Sequence, residues 1–378
     1  MIRTALGNCR WLRFSPSVCT RTVKETTGMV GRKHRLPSLV ALLICPLVTV
    51  ALTSGSVALI RGPAEAAWPA LLNADPAAAD DLTICSFNIQ FLGNSERRDH
   101  DALALIVRAY DVVLVQEVLA PPYPGMFPDG TPFRPDKEVA TFFDAMKGHG
   151  FAYELSAEDT GTGPQNHLNS SATEWFVAFY KPSKVKVADD LPSGFLAEDR
   201  TDHADYERVP HAFGFRNQHN TLDFILISVH LRPDPGREPR ARRKHELAWI
   251  AEWVDEHDSE EQDFIVAGDM NIYSRDELAD ATPVEFVSLN DECRATNTNP
   301  GSPRPYDHVM YRPEFTSEEI DEEFDLRVVD LIEAARPLWN PDNGPFPGAD
   351  PYHHDRFRAY YSDHHPVVFR LHPSAEDE

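Results

Sequence analysis

The sequence predicts a layered domain of α/β or α+β type, and three observations carry that prediction. From Asp81 onward, apolar runs of strand length alternate with segments of helical spacing. The 31 prolines favour many loops over a helical bundle. Runs such as Val112–Val115 and Phe264–Ala267 are continuously apolar, as strands covered on both faces must be. With 378 residues, 42% of them hydrophobic, the chain can bury one large core or two ordinary ones.

Leu82–Leu92 is the first strand, interrupted by Asn88-Ile89-Gln90. Leu103, Ile106 and Val107 put a helix over His100–Ala109, and Asp111–Val118 is a buried strand. Val139–Met146 is helical. A loop rich in Gly, Ser and Asn over 160–172 leads into a strand at Trp175–Tyr180. Lys184–Ala188, His211–Arg216 and Phe224–Leu231 follow as strands. Leu247, Ile250, Ala251 and Val254 line one face of a helix over Arg240–Glu256. Phe264–Ala267, Tyr306–Tyr311 and Val367–Leu371 complete the strands. The acidic stretch 314–325 is expected to be solvated, and 337–358, rich in Pro, Gly, Asp and His, to be a long surface loop. No glycine-rich phosphate loop of the nucleotide-binding kinds is present.

The net charge is −24. Residues 1–66 hold nine Lys/Arg and two Asp/Glu, so the remainder carries 27 basic and 58 acidic residues, a net −31. That balance excludes broad, charge-driven nucleic-acid binding but leaves room for a local phosphate site. Outside the N-terminal segment only Cys85 and Cys293 remain, which excludes a disulfide framework and a zinc-type cysteine pair. At the N-terminus, Arg32, Lys33 and Arg35 precede an apolar run from Leu36 to Ile60 and then Pro63-Ala64-Glu65-Ala66-Ala67. A basic flank, an apolar stretch and an Ala-x-Ala pattern have the form of a secretory signal, with Met29 as an alternative start. An uncleaved membrane anchor through 36–60 is the alternative, which Pro46 and the small polar patch at 53–56 disfavour. Either way the body is expected outside the cytoplasm, secreted or periplasmic. The expected organisation is a targeting segment over 1–66, a linker over 67–80, one catalytic domain over 81–373 and an acidic tail over 374–378.

The strand ends are the informative positions. Phe87-Asn88, Gln116-Glu117, His230, Gly268-Asp269-Met270-Asn271 and Asp363-His364 each lie where an apolar run begins or stops, and Asp307-His308 opens a sixth. Each has an ordinary reading: Asn88 as a turn cap, Glu117 as an exposed strand end, Gly268-Asp269 as an Asx-type turn, His230 as a hydrogen-bonded core residue. Strand ends gathered on one sheet edge would instead place carboxylates, an amide and two imidazoles together. Carboxylates so crowded repel one another unless a cation joins them. Oxygen donors without a thiolate favour Mg²⁺, with Mn²⁺ or Ca²⁺ as alternatives, over zinc.

In this order Phe87-Asn88-Ile89, Gln116-Glu117-Val118, Ser228-Val229-His230, Gly268-Asp269-Met270-Asn271, Tyr306-Asp307-His308-Val309 and Ser362-Asp363-His364-His365-Pro366 resemble the motifs of the endonuclease/exonuclease/phosphatase family. The resemblance spans Leu82 to Leu371. It implies an α+β fold: a four-layer α/β/β/α sandwich of two mostly antiparallel sheets packed face to face, with helices outside. It also implies metal-dependent hydrolysis of phosphate esters. Within the family the chain looks deoxyribonuclease-I-like. Glu174 stands where such nucleases carry a Glu that orients a catalytic His, and Arg208-Val209-Pro210 resembles their element that meets the nucleic-acid backbone. Gln90 departs from the pattern, since many such nucleases have Arg there.

The resemblance implies a role for each position. Glu117 would ligate metal with Asn88 and Asp363, and Asp269 would bind metal or orient the attacking water. Asn271 would hold a phosphate oxygen. His230 and His364 would form the acid/base pair, oriented by Glu174 and Asp307. Arg208 and Gln90 would meet the substrate. The implied substrate is nucleic acid, DNA ahead of RNA. A phosphatase or a sphingomyelinase-type phospholipid phosphodiesterase is the alternative, and an exposed aromatic hairpin built from Trp339 and Phe346 would favour the lipid enzyme. The basic run Arg232, Arg237, Arg240, Arg242, Arg243 and Lys244 has two readings: a phosphate-attracting rim, or solvated residues paired with Glu238 and Glu246.

Overall fold

A computed structural model of the chain describes residues 80–161, 163–198 and 203–374. The expected targeting segment, the linker as far as 79 and the tail from 375 lie outside the described residues. Among the described residues no helix is long and apolar enough to cross a membrane.

In chain order the body runs β1 (Leu82–Leu92), α1 (His100–Val107), β2 (Val112–Val118), α2 (Lys137–Gly148), β3 (Ala152–Leu155), β4 (Trp175–Tyr180), β5 (Val185–Val187), β6 (Gly194–Phe195), β7 (His211–Asn217) and β8 (Asp223–His230). It continues with α3 (Arg237–His257), β9 (Phe264–Asp269), α4 (Arg275–Ala281), β10 (Val287–Ser288), β11 (Asp307–Tyr311), α5 (Pro313–Thr316), β12 (Arg327–Val328), α6 (Leu331–Ala335), α7 (His354–Tyr360) and β13 (Val367–Leu371).

The strands form two sheets, ordered β12-β13-β1-β2-β4-β3 and β10-β11-β9-β8-β7-β5, with β6 beside β7. Their inner faces meet through Ile84, Leu114, Phe176, Phe369, Leu226 and Ile265 among others. Alternate residues of the first sheet, such as Cys85, Phe87, Val113 and Phe179, pack outward on Leu103 and Ile106 of α1 and Phe142 and Phe143 of α2. Ile225, Ile227 and Val266 of the second sheet pack outward on Leu247, Ile250 and Val254 of α3. The period-2 alternation thus buries both faces of each sheet, which is why the strands have no polar face in sequence. The result is the expected four-layer α/β/β/α sandwich.

Each sheet contains one parallel pair, β1–β2 or β8–β9, flanked by antiparallel strands. In the first sheet the ends of β1 and β2 therefore lie beside the starts of β4 and β13. In the second, the ends of β8 and β9 lie beside the starts of β7 and β11. Every motif of the sequence falls on one of these edges.

Two expectations fail. The acidic stretch 314–325 is not simply solvated: Thr316, Ile320 and Phe324 are buried. Successive four-residue steps put these three on one side of the segment, and Asp321 N–H donates to Arg370 O at 3.0 Å, tying it to β13. Nor is 337–358 a free surface loop. Trp339, Phe346 and Tyr352 pack on the α1/α2 core, and Phe357 of α7 is fully buried in it. In both stretches the apolar anchors are too sparse to outweigh the polar composition.

The β8–β9 pair fixes one residue type. Gly268 has φ +151°, and a Cβ there would lie 2.0 Å from the Val229 carbonyl oxygen on the neighbouring strand. Gly268→Ala is expected to destabilise the fold by at least about 2 kcal/mol. Thermal unfolding checks this, and an unchanged midpoint would refute it.

Candidate active site

The two sheet edges meet at Asp269, the last residue of β9. Its Oδ2 accepts from Asn88 Nδ2 at 3.0 Å and lies 3.5 Å from Nε2 of both His230 and His364. Its Oδ1 accepts from the Asn271 backbone N–H at 2.9 Å. Asn88 Nδ2 also donates to Glu117 Oε1 at 2.9 Å, and Glu117 Oε2 accepts from the Phe91 N–H at 2.8 Å.

Each histidine is backed by a carboxylate from the opposite sheet. His364, just before β13, places Nδ1 2.8 Å from Asp307 Oδ2 at the start of β11. His230, ending β8, places Nδ1 3.0 Å from Glu174 Oε1, just before β4. A carboxylate on Nδ1 fixes the tautomer and leaves Nε2 for chemistry. Asp307 is held by Thr296 Oγ1, which accepts its N–H at 3.0 Å. Ser362 Oγ donates to Asn88 O at 2.7 Å and accepts the His364 N–H at 3.0 Å.

Not every expected residue stands where its implied role would put it. Arg208 is nearly buried, with Nε 3.0 Å from Glu174 Oε1 and Nη1 donating to His230 O at 3.3 Å. It braces the Glu174–His230 pair. Gln90 donates Nε2 to Asp363 Oδ2 at 2.8 Å and is itself buried. Asn88 turns its amide N–H groups toward the carboxylates while its oxygen accepts the Gln90 N–H at 2.9 Å. Asn271 Nδ2 donates to Leu231 O at 3.2 Å. His308, beside Asp307, is structural: Ser288 Oγ and Pro305 O lie 2.9 and 2.8 Å from its ring nitrogens, and burial pushes its pKa down to about 4.

Three residues that the motifs do not mark hold the site together. Arg98 donates Nη1 to Ile89 O at 2.6 Å and also reaches Gln90 O and Tyr361 O, pinning the end of β1 to the approach to β13. Glu138 accepts the Ser95 N–H at 2.6 Å and Arg98 Nε at 3.1 Å. Glu246 of α3 accepts the backbone N–H groups of Glu207 and Arg232 at 2.7 and 3.0 Å, so it clamps the chain beside Arg208 and His230. No sequence signal distinguishes these from ordinary surface charges, because each finds at least one backbone partner that no local spacing announces: Tyr361 O for Arg98, Ser95 N–H for Glu138 and Glu207 N–H for Glu246.

Crowding perturbs the protons. Burial lifts the Glu117 carboxyl above its usual range, and Asp363 and Glu174 add to the rise. Burial also lifts Asp307, against the pull of His364. Burial opposes a charge on His364, but Asp307 and Asp269 outweigh it and hold the imidazole well above its ordinary value. His230 is raised too: burial and Arg208 press it down, and Glu174 and Asp269 more than compensate. Glu174 alone goes down. Burial works against that, but His230 and Arg208 prevail.

These residues suit a divalent cation. Glu117, His230 and Asp269 form one cluster with donor atoms within 4.8 Å of one another, and Asp269, Asp307 and His364 form another. Asp363 stands outside both clusters, yet its buried Oδ1 has no hydrogen-bond partner. The donors are hard oxygens and imidazole, without thiolate.

A model of the endonuclease/exonuclease/phosphatase family matches residues 85–364. The chain belongs to that family. It is therefore a member of a family of phosphoesterases, generally dependent on a divalent metal. Among solved structures, the human nocturnin catalytic domain with bound sulfate is 14% identical, with 78% of this chain and 94% of that one covered at TM-score 0.48. A humanised D. rerio TDP2 carrying 14 mutations is 15% identical, covering 78% and 99% at TM-score 0.47. A mannosyl-6-phosphatase of Bacteroides thetaiotaomicron is 15% identical, covering 77% and 99% at TM-score 0.46. No curated protein matches the chain.

Two outcomes are expected of this family member. His230→Ala or His364→Ala lowers turnover about 10²-fold or more in a metal-supplemented phosphodiester assay. Near-wild-type turnover in both would remove the histidines from the chemistry. The second concerns stability without metal. A raised histidine stabilises the fold fully below its unfolded value, about 6.5, and that contribution is lost as pH climbs through the folded value. The raised carboxyls of Glu117 and Asp307 act with the same sign. The lowered Glu174 acts oppositely, its contribution being lost only as pH falls through the acid range. In EDTA, the unfolding temperature should therefore fall as pH rises above about 6.5, and fall less steeply in His364→Gln. Equal slopes in the two proteins would contradict the assignment.

Proposed function

We propose that this chain is a divalent-metal-dependent phosphodiesterase that hydrolyses nucleic acid as a deoxyribonuclease-I-like endonuclease. The observation that carries the chemistry is the convergence of two carboxylate-backed imidazoles on Asp269 Oδ2, with Glu117 2.9 Å from the same Asn88 amide. Glu117 and Asp269 would hold the ion, with Asp363 beside them, and Mg²⁺ is the ion of choice for such oxygen donors. Bound there, the ion offsets negative charge on the phosphate oxygens.

The chain's own groups do the rest. The Nε2 atoms of His230 and His364 stand equally far from Asp269 Oδ2, so one can accept a proton from the attacking water while the other donates toward the phosphate or the leaving oxygen. Glu174 and Asp307 keep each ring oriented through the cycle. Asp269 orients the water, and Asn271, its backbone N–H fixed on Asp269 Oδ1, would turn its amide from Leu231 O to hold a phosphate oxygen.

The nucleic-acid reading rests on the nuclease-like sequence elements at Glu174 and Arg208-Val209-Pro210; in the fold Arg208 serves that reading only indirectly, by bracing Glu174 at 3.0 Å behind His230. The aromatic residues that would have favoured a lipid substrate weigh the other way. Trp339 stacks edge-on against Tyr360 at 4.8 Å, donates Nε1 to Gly344 O at 2.8 Å, and with Phe346 packs on the core.

One panel tests the substrate: plasmid DNA, RNA, sphingomyelin and a phosphomonoester, each with Mg²⁺, Mn²⁺, Ca²⁺ or EDTA. Metal-dependent nicking of the circular plasmid is the expected outcome. Turnover of sphingomyelin or the monoester alone would overturn the endonuclease assignment.

A further inference from the structure

Three chain segments leave the catalytic edge and converge again beside it. One follows His230, one follows Asn271, and one leads into Asp307. Between them lies a groove of about 600 Å³, lined by Arg237 and Arg240 from the first, Tyr273 and Glu277 from the second, and Arg304 from the third. Tyrosine rings connect it to the site. The Tyr306 ring lies 5.7 Å from His364, the Tyr273 ring 5.1 Å from Tyr306, and the Arg304 guanidinium 5.7 Å from Tyr273.

The charges lining this groove differ from those of the rest of the body. Glu277 is neutralised from behind by the buried Arg243, whose Nε lies 2.9 Å from Glu277 Oε1. Arg240 shares Asp280 with Lys244, at 3.2 and 2.8 Å. Arg237 and Arg304 have no acidic partner among the described residues, in a protein whose net charge is −24. Arg304 is half-buried and set over the Tyr273 ring, so its guanidinium is held toward the groove at little further entropic cost. The Tyr273 ring is already engaged by two arginines, Arg243 at 5.3 Å and Arg304 at 5.7 Å. A stacked base therefore has less access here than an anion does.

We propose that this groove is a subsite for a backbone phosphate flanking the scissile bond, held by Arg237 and Arg304. The subsite rests on the nucleic-acid reading above and extends it: the substrate strand leaves the site past Tyr306 and Tyr273. Planar guanidiniums suit a phosphodiester's oxygens, and two of them converging from separate segments select an extended polyanion over a compact ester.

The test compares the full chain with Arg237→Ala/Arg304→Ala on two substrates. Bis(4-nitrophenyl) phosphate has a single phosphate and does not reach the groove, so it reports the chemistry alone. A duplex oligonucleotide, the same class of substrate as the plasmid, reports the groove. The double variant should raise KM for the oligonucleotide about tenfold with little change in kcat, and should reduce the slope of log KM against log salt by about 1. Its turnover of the small diester should match wild type, and Arg304→Lys should recover part of the lost affinity. If wild type cuts the oligonucleotide and the double variant matches it in KM and salt slope, the subsite is wrong while the nuclease reading stands. Equal losses on both substrates would also overturn it, since they would place the arginines in the support of the fold. If wild type cleaves only the small diester, the nuclease reading fails and takes the subsite with it.

Discussion

One carboxylate oxygen, Asp269 Oδ2, is the point on which the two sheets agree. It takes an amide N–H from β1 and faces an imidazole from β8 and another from the approach to β13. Both histidine–carboxylate pairs cross the sandwich: His364 and Glu174 belong to the first sheet, His230 and Asp307 to the second. The open edge, where the apolar core ends, is thus closed by buried ionic contacts. Breaking such a pair by removing one partner costs about 3–5 kcal/mol, because a charge is left buried and unmatched. The groups proposed to act on a phosphate therefore also hold the sheets in register at this edge, and a large relative movement of the sheets would dismantle the site.

The same carboxylates compensate for backbone strain. Gln90, Phe91, Glu117 and Asn271 all have φ between +50° and +62°, a region that side chains disfavour. All four lie on the site edge, and each backbone N–H is taken by a site side chain. Gln90 donates to Asn88 Oδ1, Phe91 to Glu117 Oε2, Glu117 to Glu174 Oε2 and Asn271 to Asp269 Oδ1, at 2.6 to 2.9 Å. Left-handed residues cost about 1–3 kcal/mol each and persist where the surroundings over-determine them. Here the surroundings are the site itself. The turns carry Glu117 and Asn271, and Glu117, Glu174, Asp269 and the Asn88 amide hold the turns.

This coupling explains how much the sequence reveals. A strand buried on both faces is a plain apolar run, so the point where it meets a polar residue is conspicuous. Asn88, Glu117, His230, Asp269, Asp307 and His364 are all legible for that reason, and the structure gathers them. Two further catalytic-edge assignments fare differently. Arg208 and Gln90, expected to meet substrate, are turned instead onto Glu174 and Asp363: the buried Glu174 carboxylate competes strongly for a nearby donor, and Gln90, itself buried, takes the partly buried Asp363 as its acceptor. Arg98, Glu138 and Glu246 are invisible, since each acts on a backbone group far away in sequence: Tyr361, Ser95 and Glu207. The short strands β3, β6, β10 and β12 pair at sheet margins, where two to four residues suffice and no periodicity can build up. The basic run after His230 resolves against both simple readings. Arg232 pairs with Glu207 at 2.7 Å, Arg243 with the buried Glu277, and Arg240 and Lys244 with Asp280, rather than with Glu238 or Glu246. Most of the run is structural, and Arg237 is left facing the groove.

An enzyme with this surface faces an electrostatic conflict if its substrate is a polyanion. At net −24 the long-range field repels nucleic acid, so capture cannot depend on steering. At physiological salt the screening length is about 8 Å, which mutes charges spread over the surface but leaves contacts at a few ångströms largely intact. Positive charge is accordingly most effective where it touches phosphate, and acidic charge costs least where it is far from it. The protein follows that division. Arg208, Arg243 and Arg304 near the site are fixed by buried carboxylates or by the Tyr273 ring, while Glu314, Glu318, Glu260 and Asp258 line a pocket formed by the chain after α3 and after β11, at the ends of β9 and β11 remote from Asp269 and Asp307. Moderate salt then weakens the general repulsion more than the specific grip, so the acidic surface and a phosphate-cutting site are compatible in one chain.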